Sequence, residues 1–182
     1  MGSGTTLIEA KLLSRNAVGI DINPQAVALA EANINFQYDS ESQIYLKNEN
    51  AINLSFMKDN YIDFICTHPP YANIIKYSTG IEGDISLLGV EKFLQEMKKV
   101  AQESYRVLKK GKFCAIMIGD IREHGKVIPL GFEVMQCFVD VGFMNEEIII
   151  KEQHNCKSMN YWKNRNVNFL LLAHEYIFIF QK

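Results

Sequence analysis

The apolar residues of this chain switch repeatedly between the spacing of a helix and the spacing of a strand. An amphipathic stretch over residues 90–108 has helical spacing, whereas the stretches 17–22, 61–67 and 113–120 are short and almost wholly apolar. Short buried strands that alternate with amphipathic helices are typical of an α/β fold, with a doubly wound, mostly parallel sheet and helices on both faces. At 182 residues we expect one domain over 1–182.

The same patterns place the other elements. Asn23 followed by Pro24 is a strong helix-start signal, because Asn caps a helix and Pro suits its first position. Gly111 is expected to end the helix of residues 90–108. The last two strands are joined without a helix, which predicts antiparallel pairing at one edge of the sheet. Further helices are predicted over 5–15 and about 129–141, and further strands over 43–48, 146–153 and 168–182.

Charge and composition restrict the partners and the compartment. The net charge is -2 and the isoelectric point is near 6.1, so any contact with a polyanion must come from local basic patches. The chain has neither an apolar run of roughly 18 residues nor a signal-peptide pattern, and we expect a soluble, cytoplasmic protein. The four cysteines have no paired spacing, which indicates neither a disulfide framework nor a metal site.

The chain begins with a glycine-rich stretch, GSGTT after the first methionine, that is typical of a turn entering a helix. Gly2 and Gly4 supply the turn, Thr5 or Thr6 can cap the helix, and Asp21 follows at the end of the next strand. In a doubly wound sheet this arrangement predicts a nucleoside site, in which the carboxylate binds ribose hydroxyls. A loop without a following lysine or a third glycine suits a ligand that lacks a pyrophosphate. The alternative is a disordered start and a solvated Asp21.

A second motif, THPPY, follows the strand of residues 61–67. Pro69 and Pro70 fix φ and carry no N–H, so the corner presents carbonyl oxygens. Such a corner suits an exocyclic amino group, and the ring of Tyr71 offers a face on which a flat base can stack. The alternative is that the prolines only end the strand and that Tyr71 packs in the core.

Taken together, GSGTT, the aspartate of GIDIN, NAINLSF and THPPY resemble the class I S-adenosylmethionine-dependent methyltransferases, specifically the DNA amino-methyltransferases that modify adenine N6 or cytosine N4. The resemblance covers nearly the whole chain and implies a Rossmann-like fold, S-adenosylmethionine as cofactor and DNA as partner. It implies direct methyl transfer to the amino group of a base flipped out of its stack. RNA is the alternative polymer, and a non-catalytic fragment or subunit is the alternative to an enzyme.

The resemblance implies a role for each matching residue. The cofactor would contact Gly2, Ser3, Gly4, Thr5, Asp21 and Asn50, and the target base would contact His68, Pro69, Pro70 and Tyr71. Asn50 stands where the family usually has an aspartate beside the cofactor adenine. His68 stands where the family has a side-chain oxygen. Neutral imidazole accepts a hydrogen bond and imidazolium does not, so turnover is expected to fall below about pH 6.5.

The family also has a strand before the glycine loop, between the strand of Asp21 and the strand of Thr67. In this sequence no such strand precedes the loop. Without it the two neighbouring strands would face a gap of about 10 Å with unpaired backbone groups. We therefore expect an N-terminally incomplete domain, whose missing strand comes from upstream sequence, from the other half of a split enzyme or from another subunit.

Basic and aromatic residues are interleaved in the stretch before the last strand. Such a mixture suits phosphate contact and base stacking, and an ordinary solvated loop is the alternative. The predicted nucleic-acid-binding residues are Lys157, Tyr161, Trp162, Lys163 and Arg165, with Lys76 and Tyr77 just past the proline corner.

Overall fold

The structure is a computed structural model that describes residues 1–154 and 168–182. The helices are α1 (Thr5–Leu12), α2 (Pro24–Ile34), α3 (Val90–Val107) and α4 (Leu130–Val141). The strands are β1 (Ala17–Asp21), β2 (Ile44–Asn48), β3 (Ile62–Thr67), β4 (Leu108–Ile118), β5 (Ile121–Glu123), β6 (Lys126–Ile128), β7 (Met144–Glu152) and β8 (His174–Gln181). None of the described helices is long and apolar enough to cross a membrane.

The strands pair in both directions. β1 is parallel to β2, and β3 is parallel to β4. The sheet continues from β4 to β8 and then to β7, both antiparallel, while β5 and β6 form a separate hairpin. The predicted Rossmann-like α/β fold is confirmed, and so is the antiparallel pairing of the last two long strands.

β1 and β3 belong to different sheets. Within residues 1–154 and 168–182, β1 pairs only with β2, and β3 pairs only with β4. Phe64 of β3 is 58% exposed, although a large apolar side chain in a central strand is normally buried. The two sheets are thus separate at the position where the sequence predicts a gap.

The main core lies between α3, α4 and one face of the four-stranded sheet. Phe93 and Met97 lie one turn apart on α3, and both are at most 1% exposed. Phe138 of α4 stacks on Phe180 of β8, with the ring centroids 5.2 Å apart. Burying one such side chain contributes about 1.5–3 kcal/mol, so this core fixes β4 and β8 against α3 and α4.

The predicted helix stop at Gly111 is wrong. α3 ends at Val107 and β4 begins with the next residue, so that Gly111 lies inside β4 with a φ of +74°. The backbone N–H of Gly111 donates to the carbonyl of Lys182 at 2.7 Å, and the N–H of Lys182 donates to the carbonyl of Lys112 at 3.0 Å. Pairing with the C-terminal residue therefore extends the strand through a sequence that by itself favours a turn.

The start of α1 also differs from the sequence prediction. Neither Thr5 nor Thr6 caps the helix, because Gly4 occupies the N-cap position at φ +86° and no side chain bonds there. The helix ends at Leu12 rather than at residue 15.

The predicted cap of α2 is confirmed, since Asn23 Oδ1 accepts a hydrogen bond from the backbone N–H of Gln25 at 2.9 Å. β8 begins at His174 rather than at residue 168. The β5–β6 hairpin was not predicted, because its strands of three residues are too short to show a period.

Candidate active site

The glycine loop lies against Asp21 at the end of β1. The backbone N–H of Gly2 donates to Asp21 Oδ2 at 3.3 Å, and the Met1 ammonium lies 2.9 Å from the same oxygen. The other carboxylate oxygen accepts from the backbone N–H of Asn23 at 2.9 Å. The structure therefore brings together the loop and the acid that the sequence assigns to one nucleoside site.

The two glycines of the loop both have positive φ, but they differ in the space around them. A Cβ on Gly4 would lie 2.9 Å from the Ala30 Cβ and 3.1 Å from its Cα, so a glycine here lets α1 approach α2 closely. A Cβ on Gly2 would meet no atom within 4 Å. Gly2, Ser3 and Thr5 are exposed, whereas Gly4 is buried. Gly2, Ser3 and Thr5 thus form the solvent-exposed side of the loop.

Asn50 lies beyond the end of β2, and its side chain is already engaged. Its Oδ1 accepts from the backbone N–H of Ile52 at 3.1 Å. A Cβ on Gly83 would come within 2.7 Å of the Asn50 amide nitrogen and 3.2 Å of the Ile22 side chain. The segment after the proline corner therefore covers both Asn50 and the residue that follows Asp21.

The proline corner extends from the end of β3. The His68 side chain is 46% exposed, Pro69 is buried, and Pro70 and Tyr71 are half-buried. The next residue, Ala72, is fully buried with a φ of +47°. Such a conformation costs a non-glycine residue about 1–3 kcal/mol and is concentrated at functional sites. Packing therefore holds the corner in place, with His68 as its most open side chain.

Tyr71 packs partly against the core and is anchored by its hydroxyl group. Its ring lies beside Gly119, where a Cβ would come within 3.3 Å of the ring. The hydroxyl donates to Glu175 Oε1 at 2.6 Å, and Lys151 Nζ donates to Glu175 Oε2 at 2.7 Å. His68 Nε2 lies 3.2 Å from the same hydroxyl. Tyr71 therefore packs against the core, as one of its two sequence alternatives expects, and it also lies beside His68; base stacking on its ring stays a prediction.

Glu175 and Lys151 are not among the site residues that the sequence predicts. They lie directly opposite each other on β8 and β7 and form a cross-strand pair. Glu175 is only 6% exposed. The available signal was an acid inside the otherwise apolar strand HEYIFIF, because a buried carboxylate needs partners.

The surroundings shift the pKa values of three groups. Burial alone would raise the pKa of Glu175, but hydrogen bonds from Lys151 and Tyr71 outweigh it, and the pKa lies below its ordinary value. Burial and the bond to Glu175 raise the pKa of Tyr71 far above its ordinary value. Burial lowers the pKa of His68, which the Glu175 charge only partly opposes. At neutral pH, Glu175 is charged, Tyr71 keeps its proton and His68 is neutral.

Lys76 and Tyr77 are exposed in the segment after the corner. Asn23 Nδ2 donates to the backbone oxygen of Tyr77 at 3.3 Å, which joins this segment to the start of α2 beside Asp21. Together with Ser78, Thr79, Gly80 and Leu87 the two residues line a cavity of about 380 Å³. The other predicted nucleic-acid-binding residues, Lys157, Tyr161, Trp162, Lys163 and Arg165, lie outside the described residues.

Two further observations concern the surroundings of the site. A cavity of about 690 Å³ between α2 and β2 contains none of the predicted site residues. In the part of the chain that the structure describes, no three His, Cys, Asp or Glu side chains come together as metal ligands would.

The arrangement of helices and strands matches that of solved methyltransferases with a Rossmann-like fold. A proposed DNA modification methylase from Thermus thermophilus, solved with S-adenosyl-L-methionine, is 25% identical, with a TM-score of 0.54 over 73% of this chain and 53% of that one. A cytosine-N4-specific PvuII DNA methyltransferase is 17% identical (TM-score 0.58, 73% and 47%). A methyltransferase from Methanosarcina mazei is 17% identical (TM-score 0.64, 100% and 88%). The last two likenesses show the fold.

A family model for N6/N4 methyltransferases, described as DNA methylase, matches residues 1–32 and 62–182, and the chain belongs to this family. The release factor glutamine methyltransferase of Aquifex aeolicus strain VF5 is 30% identical over 148 residues, which is 76% of this chain and 50% of the relative. The chain thus spans about half the length of this curated relative.

Proposed function

We propose that this chain binds S-adenosylmethionine and transfers a methyl group to the exocyclic amino group of a base flipped out of DNA, at adenine N6 or cytosine N4. Family membership supports methyl transfer to DNA. One structural observation supports placing the proline corner near the cofactor site: the segment after the corner contacts the start of α2 beside Asp21, through Asn23 and Tyr77. A corner poor in donors, next to a nucleoside site, suits an NH₂ group.

The residues around Asp21 fit the cofactor. The Asp21 side chain is 18% exposed at the end of β1, and Gly2 beside it opens onto free space, so ribose hydroxyls can donate to the carboxylate. Asn50 Oδ1 keeps one lone pair after accepting from Ile52 and can accept from the adenine amino group. Ser3 and Thr5 offer hydroxyls on the open side of the loop. When bound, S-adenosylmethionine supplies a methyl carbon on a positively charged sulfur.

The chain's own residues hold the amine and localise its lone pair. An aromatic amine is a poor nucleophile because its lone pair is delocalised into the ring. In the proposed reaction, His68 and the carbonyl oxygen of Pro69 accept hydrogen bonds from the amino group and draw its two hydrogens out of the ring plane, which localises the lone pair on the nitrogen. The Tyr71 ring stacks on the base, and the nitrogen releases one proton to solvent once it has gained the methyl group. No side chain needs to form a covalent bond with the base.

His68 must be neutral to accept an amino hydrogen. Burial of part of the ring keeps the pKa of His68 below its ordinary value, so the imidazole gains a proton only in acid. We expect turnover to be constant near neutral pH and to fall only at a pH below the ordinary histidine value of 6.5. The acid limb should disappear in His68→Asn, whose amide oxygen does not titrate. A wild-type profile that stays flat until the protein unfolds contradicts this role.

The Aquifex relative supports a second candidate, transfer to the side-chain amide nitrogen of a protein glutamine. The observation in its favour is 30% identity over 148 residues. A carboxamide NH₂ is planar with a delocalised lone pair, as a base amine is, so the same corner can hold it.

Methyl transfer from tritiated S-adenosylmethionine to three acceptors separates these candidates. The acceptors are DNA, RNA of the same sequence and a glutamine-containing release-factor protein. We expect label in DNA, with N6-methyladenine or N4-methylcytosine identified by mass spectrometry of the nucleosides. Label only in RNA or only in protein would replace the DNA proposal. Cofactor binding without transfer to any acceptor would favour a non-catalytic subunit.

Asp21→Asn tests the cofactor site by isothermal titration calorimetry. A hydrogen bond to a charged group is worth about 1.5–3 kcal/mol, so affinity should fall about 10- to 100-fold. Asp63→Asn is the matched control, because Asp63 is exposed and pairs with Lys109 on the surface. Equal affinities for the two variants would contradict the assignment.

The nucleic-acid contact is proposed on Lys76 and Tyr77 and on the stretch with Lys157, Tyr161, Trp162, Lys163 and Arg165. Lys76→Ala should weaken DNA binding uniformly across sequences and reduce the slope of log affinity against log salt by about 1. An unchanged slope would remove Lys76 from the DNA contact.

The partner proposal includes a second polypeptide segment that pairs with β1 and β3. Its support is that these strands lie in separate sheets, whereas β4 has neighbours on both sides. In the monomeric chain, unpaired amides of β1 and β3 should exchange with solvent faster than those of β4. Uniform protection across the three strands would contradict an open gap.

A further inference from the structure

The hydrogen bonds around Tyr71 form one connected chain. Lys151 donates to Glu175, Tyr71 donates to the other oxygen of Glu175, and His68 Nε2 lies 3.2 Å from the Tyr71 hydroxyl. His68 and Tyr71 are neighbours in sequence, but Glu175 lies 104 residues beyond Tyr71, on β8. Which atom donates in each of these hydrogen bonds follows from the charge state of Glu175.

Glu175 accepts on both of its oxygens. Its carboxylate is buried, and Lys151 Nζ lies 2.7 Å from Oε2, which favours the charged form that has acceptors only. The Tyr71 hydroxyl, 2.6 Å from Oε1, must therefore be the donor in that bond. A hydroxyl has one proton, so the Tyr71 oxygen has none left to donate to His68.

The remaining bond then fixes the imidazole. With the Tyr71 oxygen as acceptor, His68 Nε2 must carry the proton, and in the neutral ring the other nitrogen, Nδ1, is the bare acceptor. A free neutral histidine interconverts between two tautomers, and only one of them fits this chain of bonds. The arrangement thus selects a single acceptor atom at the position where the proposed reaction needs one.

We propose that Glu175 is a positioning residue that, through the Tyr71 hydroxyl, fixes the tautomer of His68 and makes Nδ1 the atom that accepts the target amino hydrogen. This inference rests on the proposed function, since it names the acceptor atom of that site. Glu175 touches neither base nor cofactor in this scheme. It acts through Tyr71, and Lys151 keeps it charged.

The decisive measurement is the nitrogen-15 NMR spectrum of the histidine rings, which reports the tautomer without any substrate. The four histidines are distinguished by comparison with His68→Asn. We expect His68 to be protonated at Nε2 in the wild type. In Glu175→Gln and in Tyr71→Phe we expect a mixture of the two tautomers, because the Tyr71 oxygen is then free to donate or is absent.

Glu152→Gln is the matched control, since Glu152 lies next to Lys151 on β7 and its side chain is 74% exposed. It should leave the His68 tautomer unchanged. Glu175→Gln should also move the acid limb of the pH profile to lower pH. The groups that act on His68 are Glu175, Lys151 and the N-terminal ammonium, and only Glu175 favours the charged ring.

A wild-type His68 protonated at Nδ1, or a tautomer that both Glu175→Gln and Tyr71→Phe leave unchanged, overturns the inference. Tyr71→Phe keeps the test open if Glu175→Gln fails to fold. Transfer at saturating cofactor should fall about tenfold in Glu175→Gln, the loss of roughly one hydrogen bond, with cofactor affinity unchanged. Absence of methyl transfer in the wild type would count against the proposed function, while the NMR result decides the tautomer by itself.

Discussion

Replacing Gly4 by alanine should destabilise the fold far more than the same change at Gly2. Both residues have positive φ, and a non-glycine residue in that region costs about 1–2 kcal/mol. At Gly4 the new Cβ would also lie 2.9 Å from the Cβ of Ala30, which is fully buried. Forcing a methyl group into a packed contact costs about 1–3 kcal/mol. We therefore expect Gly4→Ala to lose about 2–5 kcal/mol and Gly2→Ala about 1–2 kcal/mol.

Urea unfolding followed by circular dichroism measures this difference. With a slope of about 2 kcal/mol per molar urea, Gly4→Ala should unfold at a midpoint roughly 1–2.5 M lower than the wild type. Gly2→Ala is the matched control, because it changes the same backbone region without the contact. Equal midpoints for the two variants would refute the packing argument.

A double-mutant cycle with Ala30→Gly isolates the contact. Removing the Ala30 methyl leaves its Cα at 3.1 Å, so relief should be partial. Gly4→Ala should cost about 1 kcal/mol less in the Ala30→Gly background than in the wild type, a coupling typical of residues in contact. Strict additivity would mean that the two helices do not meet at this point.

Two further outcomes concern stability. The guanidinium of Arg106 donates hydrogen bonds to Glu103 and to the carbonyls of Leu54 and Met57. A lysine cannot make all of these bonds, so Arg106→Lys should lower the free energy of unfolding in urea by about 1–3 kcal/mol. A loss smaller than the experimental error would contradict this. Burial would raise the pKa of Asp84, but hydrogen bonds from Ser78 and Ser86 outweigh it, and the pKa in the folded protein lies below its ordinary value of 3.8. The charged Asp84 therefore contributes to the free energy of unfolding above pH 3.8, and this contribution is lost as the pH falls through the pKa of the folded state. Asp84→Asn should therefore be destabilising at pH 7 and closer to wild type at pH 2.5, and a pH-independent difference would contradict the assignment.

The parts of the fold that were predictable are those with a local cause. The Asn23 cap and the placement of Asp21 at the end of a strand both follow from a few adjacent residues. The pairing of the last two strands follows from the lack of a helix between them. The glycine loop was located correctly for the same reason, because turn chemistry is local.

The parts that were not predictable depend on residues far apart in the chain. Gly111 has the local properties of a helix stop, and only its pairing with Lys182 makes it part of a strand. In the sequence Glu175 is a single acid within an apolar strand, and only the folded structure shows that Lys151 and Tyr71 donate to it. The close contact between Gly4 and Ala30 likewise depends on the approach of α2.

His68 and the buried Glu175 on β8 are proposed to act together, and this gives a further test. A side-chain oxygen accepts a hydrogen bond without help, whereas an imidazole does so on a chosen nitrogen only if its tautomer is fixed. Glu175→Gln should therefore slow methyl transfer about tenfold when His68 is present, and by less than about twofold in the His68→Asn background. Equal losses in the two backgrounds would mean that Glu175 supports the corner by packing alone, because a structural role does not depend on which acceptor stands at position 68.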